Sequence, residues 1–253
     1  MTTTDPTEIR RRLHADRVWS IYALADLDPG LFPLCNWWIC GDGGLALVFT
    51  GISILPIFVM GSTEEARSLL EELPVERGYL NLRDEHLSAA DGLYQYEEPH
   101  RMRRMVVDDF RPRAHDAEAV PVGMEHLAEV EALYATGDGG GVAFGAFQLA
   151  TGFFRGVRRG GELVAVAGVH VVSRAEGVAG VGNVFTREDW RGHGLAQIAT
   201  SAVVAGLIDA RIPTIGLNVE LGNLPAIAAY ERLGFRTAFE YQEGAARRKN
   251  RIA

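Results

Sequence analysis

The chain has 253 residues, of which 47% are hydrophobic, and a formal net charge of −8 at pH 7. This length and composition allow one large domain or two modest ones, each with a hydrophobic core. The negative charge argues against nucleic acid as a partner, because phosphate contacts need a basic face.

The longest apolar run, residues 52–60, is too short to span a bilayer and contains Pro56. It predicts a buried strand, and we expect no membrane partner. The first residues lack the basic and then apolar order of a secretory signal. The two cysteines, Cys35 and Cys40, come without a second pair or clustered histidines, so we expect no metal site. We expect a cytoplasmic protein without disulfides.

The first half of the chain predicts alternating helices and strands. The segment "GDGG" is a hairpin signal, and Ser62 with Glu65 three residues later forms a capping box. The polar residues 111–116 predict a domain boundary. In chain order we expect helices at 8–14 and 17–25, strands at 37–40, 45–49 and 52–60, a helix from 62, a strand at 79–82, a helix at 87–94 and a strand at 101–109.

The second half begins a similar pattern again. Both halves run through hairpin strands, a long helix, a strand, a short helix and a strand, which either a degenerate internal duplication or chance similarity would produce. The tail "ARRKNR" predicts a frayed terminus. We expect a strand at 119–122, helices at 125–135 and 145–149, a glycine-rich loop at 137–141, a hairpin within 153–173, a strand ending at 186, a helix after it, a strand at 214–221, a helix at 223–233 and a last strand at 235–242.

The long helix of the second half begins with the segment "RGHGLA", which places two glycines in its first turn. Each glycine costs about 0.5–1 kcal/mol relative to alanine inside a helix. The first N–H groups of a helix lack intrahelical partners and attract anions. Small residues at Gly192, Gly194 and Ala196 leave the room that a pyrophosphate needs, and Arg191 adds a positive charge.

Two other phosphate motifs fit this segment poorly. A P-loop needs Lys and then Ser or Thr after its last glycine, where this chain has Leu195 and Ala196. A dinucleotide fingerprint counted from Gly192 would end at Gln197, and no acidic residue follows at the proper distance. The corresponding first-half helix begins "GSTEEARSLL", whose glutamates would repel an anionic ligand.

The segment "RGHGLA" resembles the R/Q-x-x-G-x-G/A signature of the GNAT N-acetyltransferase family. The following "TIGLNVELGNLPAIAAYERLGF" resembles the family's next strand and its N-x-x-A-x-x-x-Y-E-x-L-G-F segment, so the resemblance covers roughly residues 117–242. It implies an α/β (α+β) GNAT acyl-CoA N-acyltransferase fold with a central mixed, mostly antiparallel sheet flanked by helices. We expect residues 1–112 to form a GNAT-like or αβ domain without a cofactor motif, and residues 117–253 to form the catalytic GNAT domain, in tandem.

The resemblance also implies that acetyl-CoA is the cosubstrate. Main-chain groups of Val184 and Thr186 would pair with the pantetheine arm, and a bulge near 183–185 would direct a main-chain N–H at the thioester carbonyl. The amides that start the long helix would face the pyrophosphate. The residues expected to contact acetyl-CoA are Val184, Phe185, Thr186, Arg191, Gly192, His193, Gly194, Leu195, Ala196, Gln197 and Asn223.

Tyr230 matches the family's tyrosine, which implies a general acid for the thiolate leaving group. Asn223 shares its helix face and is also a suitable helix cap. The attacking amine must lose a proton, and the candidates are His170, Asn183 as a holder of water, and Glu131. A histidine such as His170 can equally be a satisfied core residue.

Together these features predict transfer of an acetyl group from acetyl-CoA to the primary amine of a small molecule or amino acid by direct attack. The small acceptor is favoured because tandem chains resemble glycine N-acyltransferase relatives. The N-terminal half would cover the acceptor site or support a homodimer. The alternatives are an acyl-CoA-binding regulatory module without turnover and an interaction protein with a vestigial fold.

Overall fold

The computed structural model describes residues 1–113, 118–137 and 144–249. These residues form two compact units. Unit 1 comprises Met1–Arg104, Glu220–Gly222 and the chain from Ala238 onward, and unit 2 comprises Met105–Val219 and Asn223–Thr237. Unit 1 therefore ends before the boundary predicted at 111–116, and it also includes the end of the chain, because residues 241–247 pair with one of its strands.

The predicted helices and strands occur in the predicted order, and two short strands that the sequence does not predict, at residues 2–3 and 94–96, are added to them. The elements before the predicted boundary are β1 (Thr2–Thr3), α1 (Pro6–Leu13), α2 (Ile21–Ala25), β2 (Cys35–Cys40), β3 (Gly44–Phe49), β4 (Pro56–Met60), α3 (Thr63–Glu72), β5 (Arg77–Arg83), α4 (Leu87–Ala90), β6 (Tyr94–Tyr96) and β7 (His100–Val107). The elements after it are β8 (Ala119–Pro121), α5 (Leu127–Tyr134), α6 (Ala146–Leu149), β9 (Arg155–Arg159), β10 (Glu162–Ser173), β11 (Val178–Thr186), α7 (Leu195–Asp209), β12 (Thr214–Glu220), α8 (Leu224–Arg232) and β13 (Phe235–Arg248).

The sheet of unit 1 is mixed and mostly antiparallel. Its strand order is β1-β2-β3-β4-β5-β13, and β6 also pairs with β13. Strands β4 and β5 are parallel, whereas the other pairs are antiparallel. One face forms a core with α3, because alternate strand residues such as Ile57 and Leu80 point to the same side as the buried Leu69 and Leu70 of the helix.

The sheet of unit 2 contains the order β12-β11-β10-β9-β8. Strands β11 and β12 are parallel, and the other pairs are antiparallel. Helix α7 connects the parallel strands and is apolar around most of its circumference, which is typical of a buried helix. Its Ala199, Val203, Val204 and Leu207 are fully buried in the core of this unit.

The two units repeat one topology. In each unit, three successive strands pair antiparallel, and a helix then connects the third strand to a fourth that lies parallel to it. The order is β2-β3-β4-α3-β5 in unit 1 and β9-β10-β11-α7-β12 in unit 2. A short helix and a further strand follow each parallel pair. The shared order that the sequence indicates is thus present as strand pairing in both units.

Five segments differ from the predicted elements. The helix predicted at 17–25 begins at Ile21, because residues 17–20 form turns. Residues 52–54 are outside the strand that begins at Pro56, because they form exposed bends. Helix α4 ends at Ala90, since Gly92 takes a φ of +79° and ends the helical path. The first turn of the helix predicted at 125–135 is a 3₁₀ turn. The tail is paired rather than frayed as far as Arg248, whose guanidinium donates to Leu70 O at 2.8 Å.

The cysteines lie on β2 five residues apart, which places them on opposite faces of the strand. Both are free thiols, and burial raises the pKa of Cys35 well above its usual value. Within the described residues, no cluster of three or more metal-ligating side chains is found. No helix in the described part of the chain combines the length and hydropathy needed to cross a bilayer.

Candidate functional site

The loop before α7 presents bare main chain. Gly192 and Gly194 have φ values of +80° and +76°, and Gly194 is the N-cap of α7 without a side-chain cap bond. No intramolecular acceptor within the described residues reaches the main-chain N–H groups of residues 192–197. Two features explain why glycine occupies positions 192 and 194. The positive φ values disfavour most other residues, and the lack of a side chain leaves the neighbouring main-chain amides open.

The surroundings of these amides suit an anion. A Cβ at Gly192 would meet no atom of the described residues within 4 Å. Arg191 has no carboxylate partner within the described residues, and its Nε donates to Thr186 O at 3.3 Å. Arg187 differs, because ion pairs to Glu162 and Asp189 at 2.8 and 2.7 Å occupy it. Arg191 is therefore the cation available to a phosphate at this position.

The remaining predicted contacts near α7 have mixed roles. The His193 ring folds back over the preceding loop, where its Nδ1–H donates to Arg191 O at 3.0 Å. The Gln197 side chain is buried and donates to Ala229 O of α8 at 3.2 Å, so it ties α7 to α8. Leu195 is a core residue, 3% exposed. These side chains pack within the loop and the helix, while the main-chain N–H groups of the same residues stay without partners in the described part of the chain at the start of α7.

Strand β11 separates from β12 after Val181. The parallel pairing joins residues 178–181 of β11 to 214–217 of β12, whereas β11 continues to Thr186. The last part of β11 therefore has an edge that is not paired with β12. A ligand that forms hydrogen bonds with the main chain of a strand needs such an edge. The Thr186 Oγ1 atom at the end of this edge is buried without a hydrogen-bond partner in the described part of the chain. Such an orphaned hydroxyl is costly unless a ligand or water satisfies it.

A bulge lies near residues 183–185, where the family resemblance implies one. The pairing of β10 with β11 shifts between Val166 and Gly168, so that residues 183 and 184 lie opposite a single residue of β10. Asn183 takes a φ of +53°, which is uncommon outside glycine. A second shift occurs on β10 at His170. The two bulges bend the strands at the point where β11 leaves β12.

His170 and Asn183 meet at these bulges. The main-chain N–H of Asn183 donates to Nε2 of His170 at 3.2 Å, and Nδ2 of Asn183 donates to Val169 O at 3.2 Å and to Oε1 of Gln148 at 2.9 Å. Burial lowers the pKa of His170 to about 4. The imidazole is therefore neutral at pH 7, and its Nε2 lone pair accepts from the backbone.

Tyr230 and Asn223 lie on α8. Oδ1 of Asn223 accepts from the N–H of Ala226 at 3.2 Å, so Asn223 is the helix cap. The Tyr230 ring packs edge-on against Phe235 at 5.9 Å, and no described residue bonds its hydroxyl. Burial raises the pKa of Tyr230 to about 12, which keeps the phenol protonated. The bond from Gln197 to Ala229, the residue before Tyr230, brings this part of α8 beside the first turns of α7.

Two residues of the bulge region were not singled out from the sequence. The Tyr134 hydroxyl donates to Asn183 O at 2.8 Å, and the Tyr134 ring contacts Phe144 and Phe185 at 5.2 and 5.6 Å. Gln148, 4% exposed, bonds both bulges. The only sequence signal for Gln148 is its place three residues after Gly145, which is the glutamine position of a capping box.

Other candidates lie apart from this arrangement or outside the described residues. Glu131 is exposed on α5. Of the glycine-rich loop predicted at 137–141, only Gly137 lies within the described residues, and a Cβ there would come within 2.9 Å of the Phe185 ring.

The matching helix start in unit 1 is filled by its own carboxylate. Oε2 of Glu65 accepts from the N–H of Ser62 at 2.8 Å, and Oε1 accepts from the N–H of Gly43 at 3.1 Å. Burial alone would raise the pKa of Glu65, but the backbone donors Ser62 and Gly43 bring it below its usual value. The capping box predicted at Ser62 is confirmed, and it leaves this helix start closed to an external anion.

Comparison with known proteins bears on the family and the fold of this chain. Residues 122–235 match the model of the acetyltransferase (GNAT) family. A comparison with curated proteins gives no match. Among solved structures, the chain is similar to a putative GNAT-family acetyltransferase from Novosphingobium aromaticivorans, with 21% identity, a TM-score of 0.63, and coverage of 91% of this chain and 97% of that one.

Two further structures match nearly the whole chain. A Drosophila protein gives a TM-score of 0.67 at 14% identity and covers 98% of each chain. A tandem GNAT protein from the clavulanic acid biosynthesis pathway gives a TM-score of 0.59 at 12% identity and covers 100% of this chain and 99% of its own. The expected mixed, mostly antiparallel GNAT fold is therefore confirmed over the whole chain, and the GNAT family resemblance is confirmed in residues 122–235.

Proposed function

We propose that this chain, whose residues 122–235 belong to the GNAT acetyltransferase family, transfers an acetyl group from acetyl-CoA to the primary amine of a small molecule or amino acid. One observation carries the proposal: the open main-chain amides of residues 192–197 lie at the start of α7, and they follow within a few residues the end of β11, whose last part is paired with β10 but not with β12. A pyrophosphate and a pantetheine arm need these two features side by side.

The binding groups divide along the chain. The amides at the start of α7, with Arg191, would hold the pyrophosphate. The free edge of β11 from Val184 to Thr186 would bond the pantetheine amides, and the unpartnered Thr186 hydroxyl would gain a partner there. The bulge at Asn183 then lies next to the part of β11 that would meet the thioester.

In the reaction, the amine nitrogen attacks the thioester carbonyl carbon, an N–C bond forms and the C–S bond breaks. A main-chain N–H at the bulge would stabilise the charge that develops on the carbonyl oxygen. That N–H is not the one of Asn183, because His170 already accepts from it. The products are the amide and a CoA thiolate that requires a proton.

Tyr230 would supply that proton or a hydrogen bond in its place. Its pKa of about 12 lies above the value near 8.5 of an ordinary thiol, so full transfer to the thiolate is uphill. A hydrogen bond to the developing charge is favourable in a partly buried site, and Tyr230 has no competing partner within the described residues. We therefore propose that Tyr230 stabilises the leaving sulfur through a hydrogen bond, and that the CoA thiolate takes its proton from water as it departs.

The amine proton would leave through water rather than to His170. The Nε2 lone pair of His170 is engaged by the main chain, and the imidazole gains a proton only near pH 4. The side-chain nitrogen of Asn183 donates hydrogen bonds to two protein oxygens, so this nitrogen supports the structure rather than holding a water. A small amine can enter as the minor neutral form, in which case a strong base is unnecessary.

The experiment is a screen of amines and free amino acids for release of CoA thiol from acetyl-CoA, with the N-acetyl product identified by mass. We expect one group of small amines to give turnover above the hydrolysis rate. Tyr230→Phe serves as the matched control, because it keeps the fold and the donor site. Absence of thiol release with every amine, together with tight acetyl-CoA binding, would favour the acyl-CoA-binding module without turnover. The engaged His170 is the observation that keeps this second candidate open.

A further inference from the structure

A buried amide side chain, Gln148 on α6, connects the two bulged strands. Its Oε1 accepts from Nδ2 of Asn183 at 2.9 Å and from the main-chain N–H of Gly145 at 3.0 Å. Its Nε2 donates to the main-chain oxygen of His170 at 3.0 Å. One side chain, 4% exposed, therefore bonds a residue of each bulge.

Asn183 has its backbone in the left-handed region. Asparagine tolerates this region better than other residues that carry a Cβ, but the conformation is still uncommon, and hydrogen bonds to its neighbours favour it. Four groups bond Asn183: its N–H reaches Nε2 of His170, its Nδ2 reaches Gln148 and Val169, and its carbonyl oxygen accepts from the Tyr134 hydroxyl. Gln148 is the one of these partners that also bonds the second bulge.

We infer that Gln148 is a positioning residue for acetyl transfer: it holds Asn183 in its left-handed conformation and so sets the direction of the main chain that meets the thioester. The inference rests on the function proposed above. Gln148 acts through Asn183 and belongs to a different element, α6, from the groups proposed to contact acetyl-CoA. A shift of about 1 Å in such a position can lower a rate about 100-fold.

This inference predicts that the Kd for acetyl-CoA and kcat respond differently to the loss of the Gln148 side chain. The pyrophosphate amides belong to the start of α7 and do not bond Gln148. Loss of the Gln148 bonds should therefore lower kcat while the Kd for acetyl-CoA stays the same. A merely structural role would instead loosen the core of unit 2 and weaken both.

The test compares Gln148→Met, which keeps length and volume but loses the hydrogen bonds, with Gln95→Met on the exposed strand β6 as control. We expect kcat to fall roughly 10- to 100-fold in Gln148→Met, with the Kd for acetyl-CoA and the kcat of the control within twofold of wild type. In a double-mutant cycle, the effects of Gln148→Met and Asn183→Gly on kcat should be non-additive. In Asn183→Gly the side chain at position 183 that bonds Gln148 is already lost, so Gln148→Met removes less. Additive effects, or an unchanged kcat in Gln148→Met, would overturn the inference.

A second pair of variants covers the case in which Gln148→Met does not fold. Glycine adopts the left-handed region freely and alanine does not, so Asn183→Gly should keep at least about 10 times the kcat of Asn183→Ala. Equal kcat values would contradict the inference.

Amide exchange gives a readout that needs no turnover. The Asn183 N–H is held by His170, and its exchange rate, measured by NMR, should rise in Gln148→Met and stay unchanged in Gln95→Met. If wild type acetylates no amine but this exchange rises, the proposed function fails while the positioning of Asn183 by Gln148 stands. Unchanged exchange would overturn the positioning itself.

Discussion

The main-chain N–H of Asn183 donates to Nε2 of His170 over 3.2 Å. The acceptor nitrogen carries no proton, so the neutral imidazole holds its proton on Nδ1. Burial keeps the ring neutral by lowering the pKa of His170 to about 4. This relationship joins the bulge of β10 to the bulge of β11, and it assigns the only unprotonated ring nitrogen to the backbone.

His170 should make the fold sensitive to acid. An unfolded histidine takes a proton near pH 6.5 and the folded His170 only near pH 4, so the unfolded state binds more protons between these values. The free energy of unfolding should fall as pH drops from 6.5 to 4, by up to about 1.4 kcal/mol per pH unit from this group. His170→Gln cannot titrate, and urea unfolding of both proteins at pH 7.5, 5.5 and 4.5 should show their difference shrinking with acid. Parallel stability profiles would contradict the neutral, engaged imidazole; His100→Gln, at an exposed histidine, is the control.

The same variant tests the catalytic role of His170. If its imidazole took the amine proton, His170→Gln would remove the acidic limb of the pH–rate profile. We expect that limb to remain above pH 5, because His170 is already neutral there. Disappearance of the limb would restore His170 as the general base.

Removal of the Tyr230 hydroxyl should affect chemistry and little else. No described residue bonds that hydroxyl, so Tyr230→Phe should leave the melting temperature and the Kd for acetyl-CoA nearly unchanged. We expect kcat to fall about 100-fold, the lower end of the range for acid–base groups. Steady-state kinetics with the best amine measures it, with Tyr96→Phe in unit 1 as control. A kcat within threefold of wild type would exclude Tyr230 as the group that serves the leaving sulfur.

Glu65 should stabilise unit 1 without serving the donor. Its carboxylate accepts from two main-chain N–H groups, at Ser62 and Gly43, so Glu65→Ala should cost about 0.5–2 kcal/mol in stability. The neighbouring exposed Glu64 makes no such bonds, and Glu64→Ala should be neutral within about 0.5 kcal/mol. Chemical denaturation measures both. A neutral Glu65→Ala, or a changed Kd for acetyl-CoA in that variant, would argue against the closed helix start.

Much of the fold could be predicted from the sequence because strong local signals mark it. The "GDGG" hairpin, the capping box at Ser62 and Glu65, and the apolar segment after Gly194 each specify one element through turn chemistry or capping. The paired tail as far as Arg248 could not be predicted, since its charged residues are fixed by pairing with β5 and β6, which lie far away in sequence.

The candidate site likewise contains features that the sequence predicts and features that it does not. The glycines before α7 and the helix cap Asn223 are local features, and a continuous motif indicates them. The hydrogen bond between Gln148 and Asn183 joins residues 35 positions apart, and the positive φ of Asn183 is found at the residue that receives this long-range contact. The sequence gives no signal for Tyr134 for the same reason, because its hydrogen-bond partner is a main-chain oxygen 49 residues away. Such contacts leave no periodic or spaced pattern to read.

The most direct test of the account is calorimetric titration of acetyl-CoA into wild type and Gly194→Asn. Asparagine tolerates the left-handed backbone, so the variant should fold while its side chain crowds the amides at the start of α7. Gly160→Asn is the control, because Gly160 has a φ of +59° and lies in the turn between β9 and β10. We predict one acetyl-CoA per chain in wild type and in the control, and at least a 10-fold weaker Kd in Gly194→Asn. No binding to wild type, two molecules per chain, or an unchanged Kd in Gly194→Asn would contradict it.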